Sequence, residues 1–353
     1  MRTAVAPGAV RRAFSFRCVL ACAAALVAVA CARGAAPLKR VEYALGTMCS
    51  ITLYDHATKP ALDEAFARLH GIDARMSVNT AGSELDAVND AAGRSPVSVT
   101  EDVFAVVQRA LQLSDISGGR FDPTVGPLVK LWGINTEKAR VPPPDGIAAA
   151  LKLIDWHDVV MDAAARSIFL KRPGMSLDVG GVAKGYAADE VVRILSSHGV
   201  EAAIVDLGGN IYAMGSKPGG SPWRIGVQNP DAPRGDPLGI VAVTSTAVVT
   251  SGVYERYFME AGKRYHHIMD TRNGFPVDNG LASVTVVSPR AFDADGVTLA
   301  LFSLGPQKGL ALARRLGVEA IWVTDDHLLY ATKGARAMLT VTDPLFTFPP
   351  PPE

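Results

Sequence analysis

The chain has 353 residues, of which 48% are hydrophobic and 20% are charged, a composition that is typical of a globular protein and excludes a fibrous or disordered one. Its 35 basic residues balance 35 acidic residues, which argues against broad electrostatic binding of nucleic acid. Any phosphate must therefore bind at a local site. The length of the chain fits one large domain or two closely packed lobes.

The N-terminus has the pattern of an export signal. An apolar run from Val19 to Ala30 follows a basic segment that ends at Arg17, and this run is too short for a bilayer core, which needs about 20 residues, but suits a signal peptide. The small residues before Cys31 resemble a lipobox. We therefore expect residues 1–30 to be a lipoprotein signal peptide, Cys31 to be lipidated at the periplasmic face of the inner membrane, and residues 31–40 to be a tether. A plainly cleaved signal is the alternative.

The four cysteines leave little room for disulfide or metal chemistry. Cys18 and Cys22 lie in the predicted signal and Cys31 is the predicted lipid site, so only Cys49 remains in the mature chain. An internal disulfide and a cysteine-based metal cluster are thus excluded. Cys49 is most simply a small core residue.

The spacing of apolar residues predicts an α+β protein with mixed sheets flanked by helices. In chain order, the predicted elements are a strand over Arg40 to Tyr54, helices over Pro60 to Met76 and Glu101 to Ser117, a loop at Val141 to Pro144, a helix over Tyr186 to Leu195, strands at Ala202 to Asp206, Trp223 to Gln228, Ile240 to Val243 and Leu281 to Ser288, a helix from Asp295 to Leu304, a helix from Gly305 to Leu316, and a strand at Ala320 to Thr324. The main domain is expected over residues 41–345, and the proline-rich residues 346–353 are expected to be a disordered tail.

The segment Leu177 to Asp189, which reads LDVGGVAKGYAAD, has the features of a phosphate loop. A strand ends in an acid, two glycines turn the chain, and a helix follows. Glycines let a phosphate approach the backbone, and the helix N-terminus offers free N–H groups. Lys184 adds a positive charge. The sequence matches neither a Walker loop nor a dinucleotide fingerprint, and a tight turn without ligand is the alternative.

A second glycine-rich segment, Gly118 to Gly133, reads GGRFDPTVGPLVKLWG and predicts a rigid loop rather than a helix. Such loops often form the wall of a ligand pocket, although a purely structural loop fits equally well.

Two further segments carry residues suited to chemistry. His266 and His267 are adjacent in a predicted strand, so alternation sends them to opposite faces, one towards a site and the other towards solvent. A surface strand is the alternative. In Phe292 to Thr298, two acids and a threonine open a helix, and such oxygen ligands suit Mg²⁺. Helix capping by the acids is the alternative there.

Together these segments resemble the ApbE family, the FAD:protein FMN transferases, from about Tyr43 to Thr324. The motifs that carry the resemblance are Leu45-Gly46-Thr47, Ser83-Glu84-Leu85 with Asn89, Phe121 to Leu128, Asp178 to Asp189, Asp206 to Asn210, Ser251-Gly252 with Tyr254-Glu255-Arg256, Tyr265 to Ile268, and Ala294-Asp295. The resemblance implies a two-lobed α+β fold with FAD in a cleft between the lobes.

The resemblance also implies roles for individual residues. The residues expected along the cofactor are Leu45, Asn79, Arg120, Phe121, Asp122, Gly180, Lys184, Tyr186 and Met269. The Mg²⁺ is expected at the carbonyl of Ala183, the carboxylate of Asp295 and Thr298. His267 is the candidate base for the acceptor threonine, and Asp295 is the other residue expected to be catalytic.

The implied reaction joins FMN from FAD to a threonine of an exported redox subunit, and AMP leaves. A metal ion neutralises the pyrophosphate, and a base near neutral pKa activates the weak threonine nucleophile. Acceptors of the family carry the motif Asp-x-x-Ser/Thr-Gly/Ala-Thr.

Among the departures of the chain from the family pattern, Asn79 replaces a common aromatic residue, Leu299 replaces a metal-side threonine, and Val253 replaces a common acid. These departures raise the hypothesis of weaker FAD retention and attack by water, which would make the chain an FAD pyrophosphatase that gives FMN and AMP. A lipid-anchored flavin-binding protein without catalysis is the third possibility.

Overall fold

A computed structural model describes residues 36–134 and 136–350. The predicted signal peptide, Cys31 and the start of the tether lie outside the described residues. Within them, no helix is long and apolar enough to cross a bilayer. The described α-helices are α1 (Lys59–Met76), α2 (Glu84–Asp90), α3 (Glu101–Ser117), α4 (Gly126–Trp132), α5 (Pro144–Leu151), α6 (Ala183–Ser197), α7 (Ala291–Leu316) and α8 (Lys333–Met338). The described strands are β1 (Leu38–Ala44), β2 (Thr47–Leu53), β3 (Val97–Ser98), β4 (Val159–Asp162), β5 (Ser167–Leu170), β6 (Ala203–Leu207), β7 (Asn210–Met214), β8 (Trp223–Gln228), β9 (Pro237–Val243), β10 (Thr246–Gly252), β11 (Tyr257–Glu260), β12 (Lys263–His266), β13 (Leu281–Ser288), β14 (Glu319–Thr324), β15 (Leu329–Ala331) and β16 (Leu339–Val341).

An eight-stranded antiparallel sheet in the order β1-β2-β6-β7-β10-β13-β14-β15 organises the fold. One face packs on α1, α3, α6 and α7 in the main core, and the other packs on the β16-β9-β8 sheet and α8 in a second core. Because both faces are covered, all eight residues of β13 are buried. The predicted α+β class is confirmed.

Helices α6 and α7 cross closely and stabilise each other's N-termini. The Asp189 carboxylate of α6 accepts hydrogen bonds from the N–H groups of Ala291 (2.9 Å) and Phe292 (3.1 Å). In return, Asp295 of α7 accepts one from the N–H of Gly185 (2.9 Å). A Cβ on Gly185 would lie 2.4 Å from the carbonyl oxygen of Ala291, so this crossing requires glycine.

A third, smaller core surrounds Trp132. It joins α4 and α5 to Met269 and to the aromatic side chains of the β11–β12 hairpin, and the indole N–H of Trp132 donates to the carbonyl of Gly274 (2.8 Å). This cluster and the other two cores lie within one compact unit that begins at Leu38.

Several predicted boundaries are wrong. The expected single strand from Arg40 to Tyr54 is a hairpin, because Leu45 and Gly46 both have positive φ angles (53° and 70°) and reverse the chain. Residues 38–40 belong to β1 rather than to a tether. Gly118 to Gly133 is not a loop throughout, since Gly126–Trp132 is helical.

The remaining differences concern the C-terminal third. Helix α7 begins at Ala291, four residues before the predicted start at Asp295, and the predicted break at Gly305 appears as a kink with φ 70°. The predicted disordered tail is wrong for its first residues. Phe346 is buried, and the N–H of Leu329 donates to the carbonyl of Thr347 (2.8 Å).

Candidate active site

A cavity of about 410 Å³ opens between the main core and the Trp132 cluster. Its wall combines backbone from the glycine turns with a few charged side chains and an apolar side. The residues that line it are Gly46, Thr47, Arg120, Phe121, Asp122, Val125, Val129, Trp132, Ile134, Asp178, Gly180, Gly181, Lys184, Gly208, Asn210, Thr250, Ser251, Gly252, Glu255, Arg256, His267, Ile268, Met269, Thr271, Asp295 and Leu299. Of the residues predicted to bind cofactor or metal or to act in catalysis, it brings together Arg120, Phe121, Asp122, Gly180, Lys184, His267, Met269 and Asp295.

Asp295 forms the floor of this cavity, although the residue is only 4% exposed. Burial raises the pKa of its carboxyl above the usual range, while the nearby Lys184 ammonium and the Gly185 N–H act in the opposite direction. Its carboxylate caps α6 rather than its own helix. A buried carboxylate of this kind favours a cation as a partner.

The Asp178 to Lys184 segment forms one edge of the cavity as a compact turn. Asp178 accepts a hydrogen bond from the N–H of Gly180 (2.8 Å), and the Lys184 ammonium donates to the carbonyl of Gly180 (3.0 Å). The N-terminus of α6 follows at once. A lysine beside a helix N-terminus makes this edge suitable for an anionic group such as phosphate.

His267 and His266 face different surroundings, as alternation predicts. A ring nitrogen of His267, Nδ1, lies 3.2 Å from the carbonyl of Arg256. Because a carbonyl only accepts, Nδ1 carries the proton and Nε2 keeps its lone pair. Burial, with the Arg256 cation, lowers the pKa of His267 to about 3. His267 is therefore neutral at ordinary pH and able to accept a proton.

His266 is not on the solvent side, where the sequence prediction placed the second histidine. It is 6% exposed, its Nε2 donates to the carbonyl of Val277 (3.0 Å), and its Nδ1 accepts from the N–H of Ile268 (3.3 Å). Burial lowers its pKa to about 4. His266 is thus a structural residue that holds the end of β12, which His267 directly follows.

The Arg120-Phe121-Asp122 segment also lines the cavity. The Asp122 carboxylate accepts hydrogen bonds from the N–H (2.8 Å) and hydroxyl (2.6 Å) of Thr124, which hold the turn. The hydroxyl of Thr271 donates to the carbonyl of Gly119 (3.1 Å) and ties this turn to the loop after His267.

Three residues predicted to bind the cofactor lie outside the cavity wall. Asn79 is exposed in the loop after α1. The hydroxyl of Tyr186 points to Asp102 (2.6 Å), within an ion-pair network around Arg68. Leu45 forms the β1–β2 turn, where its N–H donates to Asp73 (3.0 Å), and its neighbours Gly46 and Thr47 line the cavity instead.

Two of the three predicted metal ligands are also outside the wall. Ala183 is buried at the first turn of α6. The Thr298 hydroxyl is fully buried, donates to the carbonyl of Asp295 (2.6 Å) and pairs with the Ser251 hydroxyl (2.7 Å). Leu299, which lies one helical turn after Asp295, lines the cavity where Thr298 was expected.

Asn210 is a polar residue of the wall to which the sequence assigned no role. It was visible only as the end of the Asp206-Leu207-Gly208-Gly209-Asn210 motif. The two glycines have φ angles of 69° and 94°, and this turn directs the chain back into the sheet with Asn210 as the first residue of β7.

Known proteins resemble this chain in sequence and in fold. A sequence model described as the ApbE family matches residues 45–322. The chain belongs to the ApbE family. It is 38% identical over 325 residues to the FAD:protein FMN transferase of Treponema pallidum (strain Nichols), an alignment that covers 87% of this chain and 90% of that protein. It is 39% identical over 300 residues to an FAD:protein FMN transferase of Klebsiella pneumoniae (strain 342), covering 85% of this chain and 93% of the relative.

The fold of this ApbE-family chain is also similar to that of a solved relative. The crystal structure of the ApbE protein from Thermotoga maritima superposes with a TM-score of 0.80 at 31% identity, covering 86% of this chain and 99% of that one. Since its relatives are named as transferases, the chain is an enzyme, and the expected ApbE-like fold is confirmed.

Proposed function

We propose that this enzyme transfers the FMN half of FAD to a threonine of another exported protein and releases AMP, with the help of a divalent cation. The observation that supports this most is the convergence, in one cavity, of a buried carboxylate (Asp295), a phosphate-type turn with Lys184, and a neutral histidine (His267). Flavin transfer is the activity named for the relatives.

The residues of the cavity fit a hard cation. Among the described residues, no cluster of three or more His, Cys, Asp or Glu side chains is placed to bind a metal ion, so a site built from these side chains alone is excluded there. Mg²⁺ is commonly held by one or two carboxylates and completes its shell with substrate phosphate and water. Asp295 would hold it, and the ion would neutralise charge on the pyrophosphate.

The roles of the chain's own groups follow from their positions. Lys184 and the N-terminus of α6 hold the pyrophosphate. Nε2 of His267 accepts the proton of the acceptor hydroxyl, while the carbonyl of Arg256 holds the ring through Nδ1. The threonine oxygen forms a bond to the FMN-side phosphorus, the bond from that phosphorus to the bridging oxygen breaks, and AMP departs with this oxygen.

The test incubates protein without the signal peptide with FAD and Mg²⁺, with and without a domain that carries the acceptor motif. Covalent flavin on that domain, read as in-gel fluorescence and as an added mass of FMN, is expected only when all components are present. A matched acceptor whose motif threonine is valine should stay unlabelled. Free FMN and AMP without covalent flavin would instead establish the FAD pyrophosphatase, and bound FAD without turnover would establish a flavin-binding protein.

We also propose that the enzyme works outside the cytoplasm as a lipoprotein, on the strength of the apolar run that ends at Cys31. The test compares full-length protein with Cys31→Ala by labelling with a palmitate analogue and by fractionation. Label and membrane association should be lost together in the variant. An unlabelled native protein recovered in the soluble periplasmic fraction would show that the signal is only cleaved.

A further inference from the structure

Asn210 has unsatisfied polar atoms although it is almost completely buried. The residue is 1% exposed, and within residues 36–134 and 136–350 neither its Oδ1 nor its Nδ2 has a hydrogen-bond partner. A buried amide without partners carries a desolvation cost that native proteins rarely leave uncompensated. Such a side chain in a cavity wall points to a missing ligand.

The position of Asn210 is firmly fixed by its neighbours. It begins β7 and pairs with Val249 of β10. The preceding turn is held by a hydrogen bond from the N–H of Gly209 to the Asp206 carboxylate (3.0 Å). A Cβ on Gly208 would lie 2.3 Å from the hydroxyl of Thr47. This backbone therefore holds the amide in the wall of the cavity.

The amide lies beside the carboxylate of Asp295. Its side-chain amide interacts with that carboxylate as a hydrogen-bond donor and lowers the carboxyl pKa, against the larger effect of burial, but the contact falls short of full hydrogen-bond geometry among the described residues. Two neighbouring oxygen-bearing side chains thus line the same cavity, and they offer the donor chemistry that Mg²⁺ and Mn²⁺ prefer.

The side chains that follow Asp295 on α7 do not supply this second oxygen. Thr298 is fully buried, and its hydroxyl donates its single proton to the carbonyl of Asp295. The Thr298 oxygen must therefore accept the hydrogen bond that it shares with the Ser251 hydroxyl. Leu299 lines the cavity with an apolar side chain that is close to Gly181. The place one helical turn beyond Asp295 offers no ligand.

We infer that Asn210, and not Thr298, provides the second side-chain oxygen of the cation site beside Asp295. This inference rests on the proposed function, because it concerns the cation used in that reaction. In the filled site, Oδ1 of Asn210 contacts the ion and Nδ2 donates to Asp295, so both orphaned atoms acquire partners.

The test measures cation affinity rather than turnover. Mn²⁺ is titrated into the FAD complex of the protein without its signal peptide, and free Mn²⁺ is counted by electron paramagnetic resonance, with FAD alone as the blank. Asn210→Leu should raise the Kd for Mn²⁺ at least about tenfold. Thr298→Val, which has the same shape as the native residue, should stay within about threefold. Asn210→Asp, which keeps an oxygen, should retain the affinity.

Folding is checked in the metal-free proteins. Because Asn210 makes only a weak polar contact, with Asp295, among the described residues, Asn210→Leu should melt close to the parent protein. An unchanged Mn²⁺ affinity in Asn210→Leu, or a tenfold loss in Thr298→Val alone, would overturn the inference and leave the proposed function standing. A parent protein that binds no Mn²⁺ above the blank would overturn both.

Discussion

The carboxylate of Asp295, on α7, accepts a hydrogen bond from the N–H of Gly185, on α6, at 2.9 Å. This contact places a buried negative charge at the N-terminus of α6, beside the turn that carries Lys184. The same interaction therefore joins two helices of the core and positions the carboxylate that we assign to the cation.

Asp295→Asn should stabilise the metal-free protein and remove its response to Mg²⁺. Burial raises the pKa of this carboxyl, so its ionised form costs folding free energy at neutral pH, and the amide keeps an acceptor for Gly185 without the charge. We expect the Tm without metal to rise by at least about 2 °C, and the Mg²⁺-induced increase in Tm to vanish. Asp293→Asn is the matched control, because Asp293 is more exposed and pairs with Arg109 at the surface. Equal behaviour of the two variants would contradict the assignment.

His267→Ala should lower the transfer rate about 10²- to 10⁴-fold, which is the usual contribution of a positioned general base to the rate. The free enzyme keeps His267 neutral down to about pH 3 because of burial and the Arg256 cation. Protonation of His267 should therefore give kcat/KM no acid limb at mildly acidic pH. A kcat/KM that falls below about pH 6.5 in the native protein but not in the variant would contradict the lowered pKa. A variant that retains full activity would exclude His267 as the base.

His266 should make the folded protein sensitive to mild acid. Its pKa falls to about 4 because it is buried, whereas an unfolded histidine titrates near 6.5. A lowered histidine pKa contributes stability that is complete above pH 6.5 and is lost as the pH falls towards 4. His266→Gln should therefore show a shallower fall in the free energy of unfolding between pH 7 and pH 5, whatever its absolute stability. Parallel curves for the two proteins would disprove this.

Gly185→Ala should destabilise the protein by about 1–3 kcal/mol, because the new methyl group would overlap the carbonyl oxygen of Ala291 at the helix crossing. Denaturant melts give this difference directly. Gly71→Ala is the control. It lies within α1, its nearest neighbour would be the flexible end of Arg75 at 3.9 Å, and alanine there should stabilise by up to about 1 kcal/mol. If both variants gained stability, the crossing would tolerate a side chain.

The sequence predicts elements best where a single face or a short buried run dominates. Helix α3 and strands β8 and β13 have the predicted bounds. Local apolar patterns define all three elements, and Gly118 marks the end of α3. The β1–β2 hairpin was missed because its turn uses Leu45 with a positive φ, which is uncommon for a leucine.

The candidate site was predictable only in part for a similar reason. Some parts of the site are formed by residues that are close in sequence, such as the contact between Lys184 and Gly180. These parts can be predicted from the sequence. The direction of a side chain depends on tertiary packing. Tyr186 turns to Asp102, and Thr298 turns to Ser251, because partners that are distant in sequence lie there. Asn210 gave no signal by itself, since its importance lies in the absence of partners among the described residues.

The decisive experiment on this enzyme compares the amounts of AMP and covalent flavin that it forms. The protein without its signal peptide, FAD, Mg²⁺ and an acceptor domain are mixed, and both products are quantified over time, with EDTA in a parallel sample. We predict equal amounts of AMP and protein-bound FMN at every time point and neither product in EDTA. AMP without bound flavin, bound flavin without AMP, or turnover that persists in EDTA would contradict the account.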